Sequence, residues 1–290
     1  MVYELYAYDL GGCNCTEVLT FAGGDPARTR HVRVYIWIAK CADRVVIIDP
    51  GAPDPDIFNR MTYDYAPGGW HPTPEQTTPA VLKRIGIRPE DVSTVILTHL
   101  HYDHVGNAGM FPNARLVVSD HSLIARIPSD MDWRRAKEQL SLFPCPTGQC
   151  CARLFEEYLS DLRGEQQPTC DTQCGCRANC ALFLESVKDA FPSRIHFSGD
   201  EEIVPGISVF WVGGHAPCAQ AVSIETAKGT AVISGDIGHL RENFERDVPV
   251  GFSVPSEAQE AMSRIKAAAD IILPGHDPLI GAEHPDGRIA

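Results

Sequence analysis

Two apolar, β-branched runs near the start of the chain, residues 32–40 (VRVYIWIAK) and 44–49 (RVVIID), are parted only by the polar break Cys41-Ala42-Asp43. That pattern predicts a hairpin and an antiparallel beginning. At residues 78–85 the spacing turns helical: Val81, Leu82 and Ile85 fall on one face, Thr78 stands at the N-cap, Pro79 opens the first turn and Gly86 supplies the stop. Residues 92–97 (VSTVIL) read as a buried strand whose end delivers His99 into a loop, where α/β folds place functional side chains. Another apolar run, 115–118, leads into a stretch rich in helix formers, proline and cysteine that lasts from Asp120 to about Pro192. Strand-like runs resume at 207–212, 221–224 and 230–233, and a helical stretch over 257–269 precedes the apolar run 271–274. Strands fall into two groups with helices between and after them, an α/β (α+β) arrangement. There is no tandem repeat and no low-complexity linker, so one domain over 1–290 is expected, with a largely helical insertion at about 120–192.

At 290 residues, with 44% hydrophobic and 22% charged residues, the chain has ordinary globular usage and enough apolar side chain for a sizeable core. Wholesale disorder is excluded. Lys and Arg number 25 against 38 Asp and Glu, a formal charge of -13, and such a surface repels phosphate backbones. Nucleic acid is therefore not an expected partner. Glu4 stands where a secretory signal would carry basic residues, and no run approaches the roughly 18 apolar residues of a membrane span. The expectation is a cytoplasmic protein with no membrane partner, acting on a small molecule. Its 11 cysteines are many for that compartment, where disulfides are rare and clustered thiols bind metal or stay free.

The segment Thr98-His-Leu-His-Tyr-Asp-His104 packs three imidazoles and one carboxylate into six residues directly after a predicted strand. In an extended loop the alternate residues His99 and His101 can point to one side, while Asp103 and His104 face a second ion from the next turn. Neutral imidazole and carboxylate oxygen suit zinc and the neighbouring first-row metals, and a motif without thiolate fits a catalytic centre. Three further positions repeat the design just beyond apolar runs: Val212-Gly-Gly-His215, Ile233-Ser-Gly-Asp236 and Leu273-Pro-Gly-His276. The glycine before each ligand lets backbone approach closely. Any one of these is commonly a mere turn residue. Together with the first cluster they mark a metal site.

With those residues in place, the chain resembles the metallo-β-lactamase superfamily, whose members carry HxHxDH followed in order by a distant His, an Asp and a final His. The resemblance implies an αββα sandwich over nearly the whole chain, one metal on His99, His101 and His215, another on Asp103, His104 and His276, and Asp236 bridging the two. It also implies that Asp49, in Ile48-Asp-Pro-Gly51, orients the metal loop without binding metal. Within the superfamily the chain resembles the N-acyl-homoserine lactone lactonases, over Val34 to Asp49, over Pro89 to Phe111 with HLHYDHVGNAGMF, and over Gly235 to Pro249. The pyridoxolactonases share much of this pattern. The resemblance implies a quorum-quenching lactonase that opens a cyclic ester by attack of a metal-bridging hydroxide. Two divalent ions would sit about 3.5–4 Å apart, zinc first, with iron or manganese as alternatives. Asp103 would also carry the proton to the leaving group. Thioester and phosphodiester hydrolases, and a di-iron redox enzyme, are the alternatives on the same fold. The flavodiiron oxygen reductases usually carry Glu where His101 stands here, and RNA-processing members would bring basic surface and an added nuclease domain.

The chain departs from the lactonase pattern in several places. The lactonases read GHxPGH where this chain has Gly214-His-Ala-Pro-Cys-Ala219, and a space-filling buried thiol is the expected role of Cys218, ahead of a reactive one. His239 stands three residues beyond Asp236, where the lactonases carry a Tyr that donates to the lactone carbonyl. An imidazole N–H would serve the same catalytic end, the alternatives being a metal ligand or an exposed bystander. Cys145, Cys150, Cys151, Cys170, Cys174, Cys176 and Cys180 crowd the insertion. They suit an additional metal or an iron–sulfur cluster, with disulfides or free thiols as alternatives. Cys13 and Cys15 either join that group or stand alone. The pattern leaves the oligomeric state open.

Overall fold

A computed structural model of the protein describes residues 1–62, 65–140, 142–143 and 175–290. Among these, strands form two sheets. The first runs in the order β1 (Glu4–Thr16), β2 (Thr29–Cys41), β3 (Arg44–Ile48), β4 (Thr94–Ile96), β5 (Arg115–Ser119), β6 (Ile195–Ser198). The second runs β11 (Ile271–Leu273), β10 (Gly229–Ile233), β9 (Gln220–Thr226), β8 (Ile207–Trp211), β7 (Glu201–Val204). The expected hairpin is present, with Cys41 paired to Arg44 across its turn.

Alternation along each strand builds the layers. Val46, Ile48, Ile96 and Val117 of the first sheet and Val222, Ile224, Ala231 and Ile233 of the second share one buried cluster between the sheets. Their neighbours Ile47, Val95, Leu116, Val118 and Val232 point the other way and pack under helices, represented by Val81, Leu82, Phe183, Ala261 and Met262. Helices therefore flank two face-to-face sheets, the αββα arrangement expected.

Two local readings change. The helix Thr78–Ile85 is capped by Thr77, whose hydroxyl accepts from the Ala80 amide, while Thr78 is inside the helix and donates its own hydroxyl to Pro50 O at 2.6 Å. Gly86 ends that helix in the left-handed conformation, as its position suggested. The strand β1 is new, as are β6 and β7. Between the side-by-side strands β5 and β6 the described residues hold the helices Trp133–Leu140 and Gly175–Ser186. Cys145, Cys150, Cys151, Cys170 and Cys174 lie outside the described residues, and with them most of the expected extra metal or iron–sulfur site. Cys176 and Cys180 are buried on the second of those helices.

Strand direction gathers the chemistry. The parallel pairs β3–β4 and β10–β11 finish at the same edge of the sandwich, so the residues just past them meet there. These are Asp49, His99, Asp236 and His276. No helix among the described residues is long and apolar enough to cross a membrane.

Candidate metal centre

Beyond β4 the chain stays extended through His101, which caps the short helix Tyr102–Val105, and that helix carries Asp103 and His104. The loop after β8 brings His215, and the parallel ladder of β10 and β11 continues past both strands. Gly275 N–H donates to Gly238 O at 2.9 Å and His276 N–H to His239 O at 3.0 Å, so the two ligand loops are zipped together. Gly275 is close-packed for a reason: a Cβ there would lie 2.8 Å from Asp236 Oδ1.

Among the described residues, candidate ligand atoms converge in three groups, each within 4.8 Å: His99, His101, His215 and Asp236; Asp103, His104 and His276; Asp236, His239 and His276. The Asp236 carboxylate lies between the first two. Its Oδ2 is 3.4 Å from His215 Nε2 and 3.7 Å from His99 Nε2, and its Oδ1 is 3.3 Å from His104 Nε2 and 3.0 Å from His276 Nε2. His101 Nδ1 lies 3.1 Å from His215 Nε2, and Asp103 Oδ2 lies 3.4 Å from His104 Nε2.

Outer partners set the tautomers. His104 Nδ1 donates to Asp49 Oδ2 at 2.8 Å and His276 Nδ1 donates to Arg33 O at 2.6 Å. With both rings neutral, as metal ligation requires, their Nε2 lone pairs face a carboxylate that also offers only lone pairs. Such contacts at 3.0–3.3 Å repel unless a cation or a proton stands between them. Asp236 Oδ1 and His99 Nε2 are, moreover, buried without a hydrogen-bond partner. The donor set is all imidazole and carboxylate, and it fits divalent first-row ions.

Ionisation tells the same story. Burial works to lower His104 and His276, yet Asp103, Asp236 and Asp49 hold His104 well above its ordinary range, and Asp236 brings His276 up to about 9. Burial pushes His99 and His215 well below the usual value and lowers His101 and His239 as well, leaving the neutral form a ligand needs. Burial would raise Asp236, but His276, His104, His99 and His239 overcome it and hold the carboxylate well down.

A cavity of about 230 Å³ opens on this cluster, bounded on one side by His101, Asp103, His215, Asp236, His239 and His276. Its other walls are mainly apolar, with Leu19, Val32, Val34, Phe58, Met61 and Phe252, beside Thr62, Tyr65 and Asn179. His239 lines the cavity and is 4% exposed, with Nε2 3.3 Å from Asp236 Oδ2, so the exposed-bystander reading of this residue is excluded. Cys218 is buried, which pushes its thiol up to about 11 and matches a space-filling role.

Several contributors carried no recognised signal. Thr98 donates its hydroxyl to Asp49 Oδ2 at 2.7 Å and sits 3.1 Å from His99 Nδ1. Gln220 donates to Leu97 O at 2.8 Å through its side chain and to Thr98 O at 2.8 Å through its backbone, tying the second sheet to the loop that holds His99. The Arg33 carbonyl is a backbone atom, invisible to residue-type reasoning. Cys13 and Cys15 line the cavity.

Several known proteins are similar to this chain. A model of the metallo-beta-lactamase superfamily matches residues 31–276. An N-acyl homoserine lactonase of Bacillus cereus is 26% identical over 278 residues, covering 94% of this chain and 89% of that protein. A solved N-acyl homoserine lactone hydrolase, with the product N-hexanoyl-L-homoserine bound at its catalytic metal centre, superposes with a TM-score of 0.66 at 23% identity, covering 98% of this chain and 97% of the other. AidC, a dizinc quorum-quenching lactonase in complex with the same product, gives a TM-score of 0.62 at 14% identity, covering 94% and 87%.

Proposed function

Because the chain belongs to the metallo-beta-lactamase superfamily, we propose that it is a dinuclear-metal hydrolase that opens a cyclic ester of the N-acyl-homoserine-lactone kind. The observation that carries this reading is the aim of Asp236, which turns one oxygen to His99 and His215 and the other to His104 and His276. In this assignment His99, His101 and His215 would hold one ion and Asp103, His104 and His276 the other, with Asp236 shared between the two sets. Zinc is the first choice, with iron or manganese able to use the same donors. When bound, two such ions supply Lewis acidity toward an ester carbonyl and bring a water toward neutral pKa.

The chain's own groups do the rest. Asp103 projects into the cavity beside the cluster, placed to take a proton from the attacking water and return it to the leaving alkoxide. His239, held near Asp236, presents its ring to the same space and donates a hydrogen bond to the carbonyl oxygen as charge develops there. The apolar wall receives the acyl portion and excludes water. Lactonase activity in relatives that span most of this chain supports the cyclic ester over a thioester or phosphodiester.

The chain is further read as one domain with an insertion at about 120–192, since β5 and β6, which flank that stretch, pair side by side. A cytoplasmic setting is part of the same reading, in keeping with Cys41, which is partly exposed and stands as a thiol. The experiment that tests the function is a panel of lactones, thioesters and phosphodiesters presented to metal-reconstituted protein. Selective lactone opening is expected; turnover of a thioester or phosphodiester without lactone opening would overturn the assignment.

A further inference from the structure

The strand β1 changes face partway along. Its pairing with β2 slips by one residue between Asp9 and Gly12, where Gly11 takes φ +93. Before the slip the odd-numbered residues Leu5 and Ala7 lie in the core between the sheets; after it the odd-numbered residues Cys13 and Cys15 lie in the other cluster, with Val32 and Val34. A one-residue bulge turns the alternation over, and here it turns two thiols into the cavity beside the metal cluster. They are 5% and 2% exposed, and their Sγ atoms are 3.5 Å apart. The hydrolytic chemistry proposed above uses neither.

Two thiols so placed can bond to one another or to a shared atom, and strand geometry discriminates between these. Residues i and i+2 of a strand lie about 6.6 Å apart at Cα, near the upper limit for a disulfide, which is about 6.8 Å. Cys13 and Cys15 are both fixed in the ladder, opposite Val32 and Arg30, so the strand cannot shorten there without losing pairing. A shared atom needs no such movement. Two bonds of about 2.3 Å to one centre close the 3.5 Å gap at an angle of about 100°, suited to three- or four-coordinate ions held by sulfur.

We propose that Cys13 and Cys15 form a dithiol receptor for one thiophilic centre of the trivalent-arsenic class, and that filling it shuts the catalytic cavity to substrate. Soft sulfur donors select a soft centre, whereas the imidazoles and carboxylates alongside keep the harder divalent ions, so the two sites divide their occupants by donor type. With an arylarsonous acid, two As–S bonds form and two As–O bonds break. Both thiol protons leave in two molecules of water, and no oxidation state changes. The product is uncharged, which suits a site walled by Leu19, Val32 and Val34. The loss of turnover rests on the lactonase reading; the site itself does not.

The test uses metal-loaded protein treated with one equivalent of phenylarsine oxide, whose hydrate is the arylarsonous acid. Peptide mass mapping should find a single arsenical joined to the peptide that carries both Cys13 and Cys15. That adduct should be lost in Cys13→Ser and in Cys15→Ala. Lactone opening should fall at least tenfold on treatment and return when a small dithiol is added. Adducts confined to other cysteines, or equal modification of that peptide in either variant, would overturn the site. An adduct on Cys13 and Cys15 with undiminished turnover would overturn the closing of the cavity. If untreated protein opens no lactone while the adduct still forms, the lactonase reading fails and the receptor stands.

Discussion

Asp49 holds His104 by the far side of its ring: Nδ1 donates to Asp49 Oδ2 at 2.8 Å, so Nε2 is aimed at Asp236. The same carboxylate accepts the Thr98 hydroxyl at 2.7 Å and the Thr98 amide at 2.8 Å, and Asp49 itself sits at φ 49, in the left-handed region. An acid in that conformation carries some backbone strain, offset by three hydrogen bonds that fix the loop carrying the ligands. Removing it should loosen one ion more than the other. Asp49→Ala is expected to weaken binding of the second ion by about 10- to 100-fold, the usual effect of losing such a partner. Competition against a graded chelator series measures it, and an unchanged second affinity would contradict the role.

Gly275 allows the His276 loop to lie against the bridging carboxylate. In Gly275→Ala the new Cβ would meet Asp236 Oδ1 at 2.8 Å and Gly235 O at 2.8 Å, closer than real Cβ contacts come. The loops must separate, so the variant should retain less metal and melt at lower temperature than the parent. Metal content and a thermal scan on the same preparation check it; full metal loading would mean that Asp236 can shift without consequence.

What chemistry demands of residue type decides how much of the site is legible in the sequence. Ligation needs imidazole and carboxylate at fixed offsets past strand ends, so His99, His101, Asp103, His104, His215, Asp236 and His276 can be singled out from spacing and resemblance, and their side chains do converge. Other parts leave no such trace. The strand β1 escapes a pattern reading because its bulge at Gly11 and Gly12 breaks the period-two alternation into halves of opposite phase. The cap falls one residue earlier than the pattern suggests because Thr77 and Thr78 are both competent caps, and the roles are separated by Thr77 accepting from the Ala80 amide while Thr78 bonds to Pro50 O. Gln220 works through two carbonyls that any residue could supply.

His239 is expected to act on the substrate and not on the metals. His239→Ala should lower kcat by about 10² or more, the loss typical of one oxyanion donor, with metal content unchanged. His239→Tyr should keep part of the rate, since a phenol offers the same donor. Its place in a triad with Asp236 and His276 defines the contrary result: if the alanine variant sheds an ion, His239 is a ligand.

Asp103 is assigned a proton transfer as well as a ligand bond. At saturating metal, Asp103→Asn should still bind lactone but turn it over about 10² or more times slower, the range for loss of general acid–base help. Single-turnover kinetics with excess metal would show it; an unimpaired rate would remove the carboxylate from the reaction.

Turnover requires two ions acting together around Asp236. Chelated protein should be titrated with zinc while lactone opening is followed by proton release in weak buffer, in parallel with His276→Ala. Activity should stay low up to one equivalent at the His and Asp cluster and rise as the second binds, while the variant should stop at one equivalent and stay slow. Full activity at one equivalent, or no lactone opening with both ions bound, would contradict this reading.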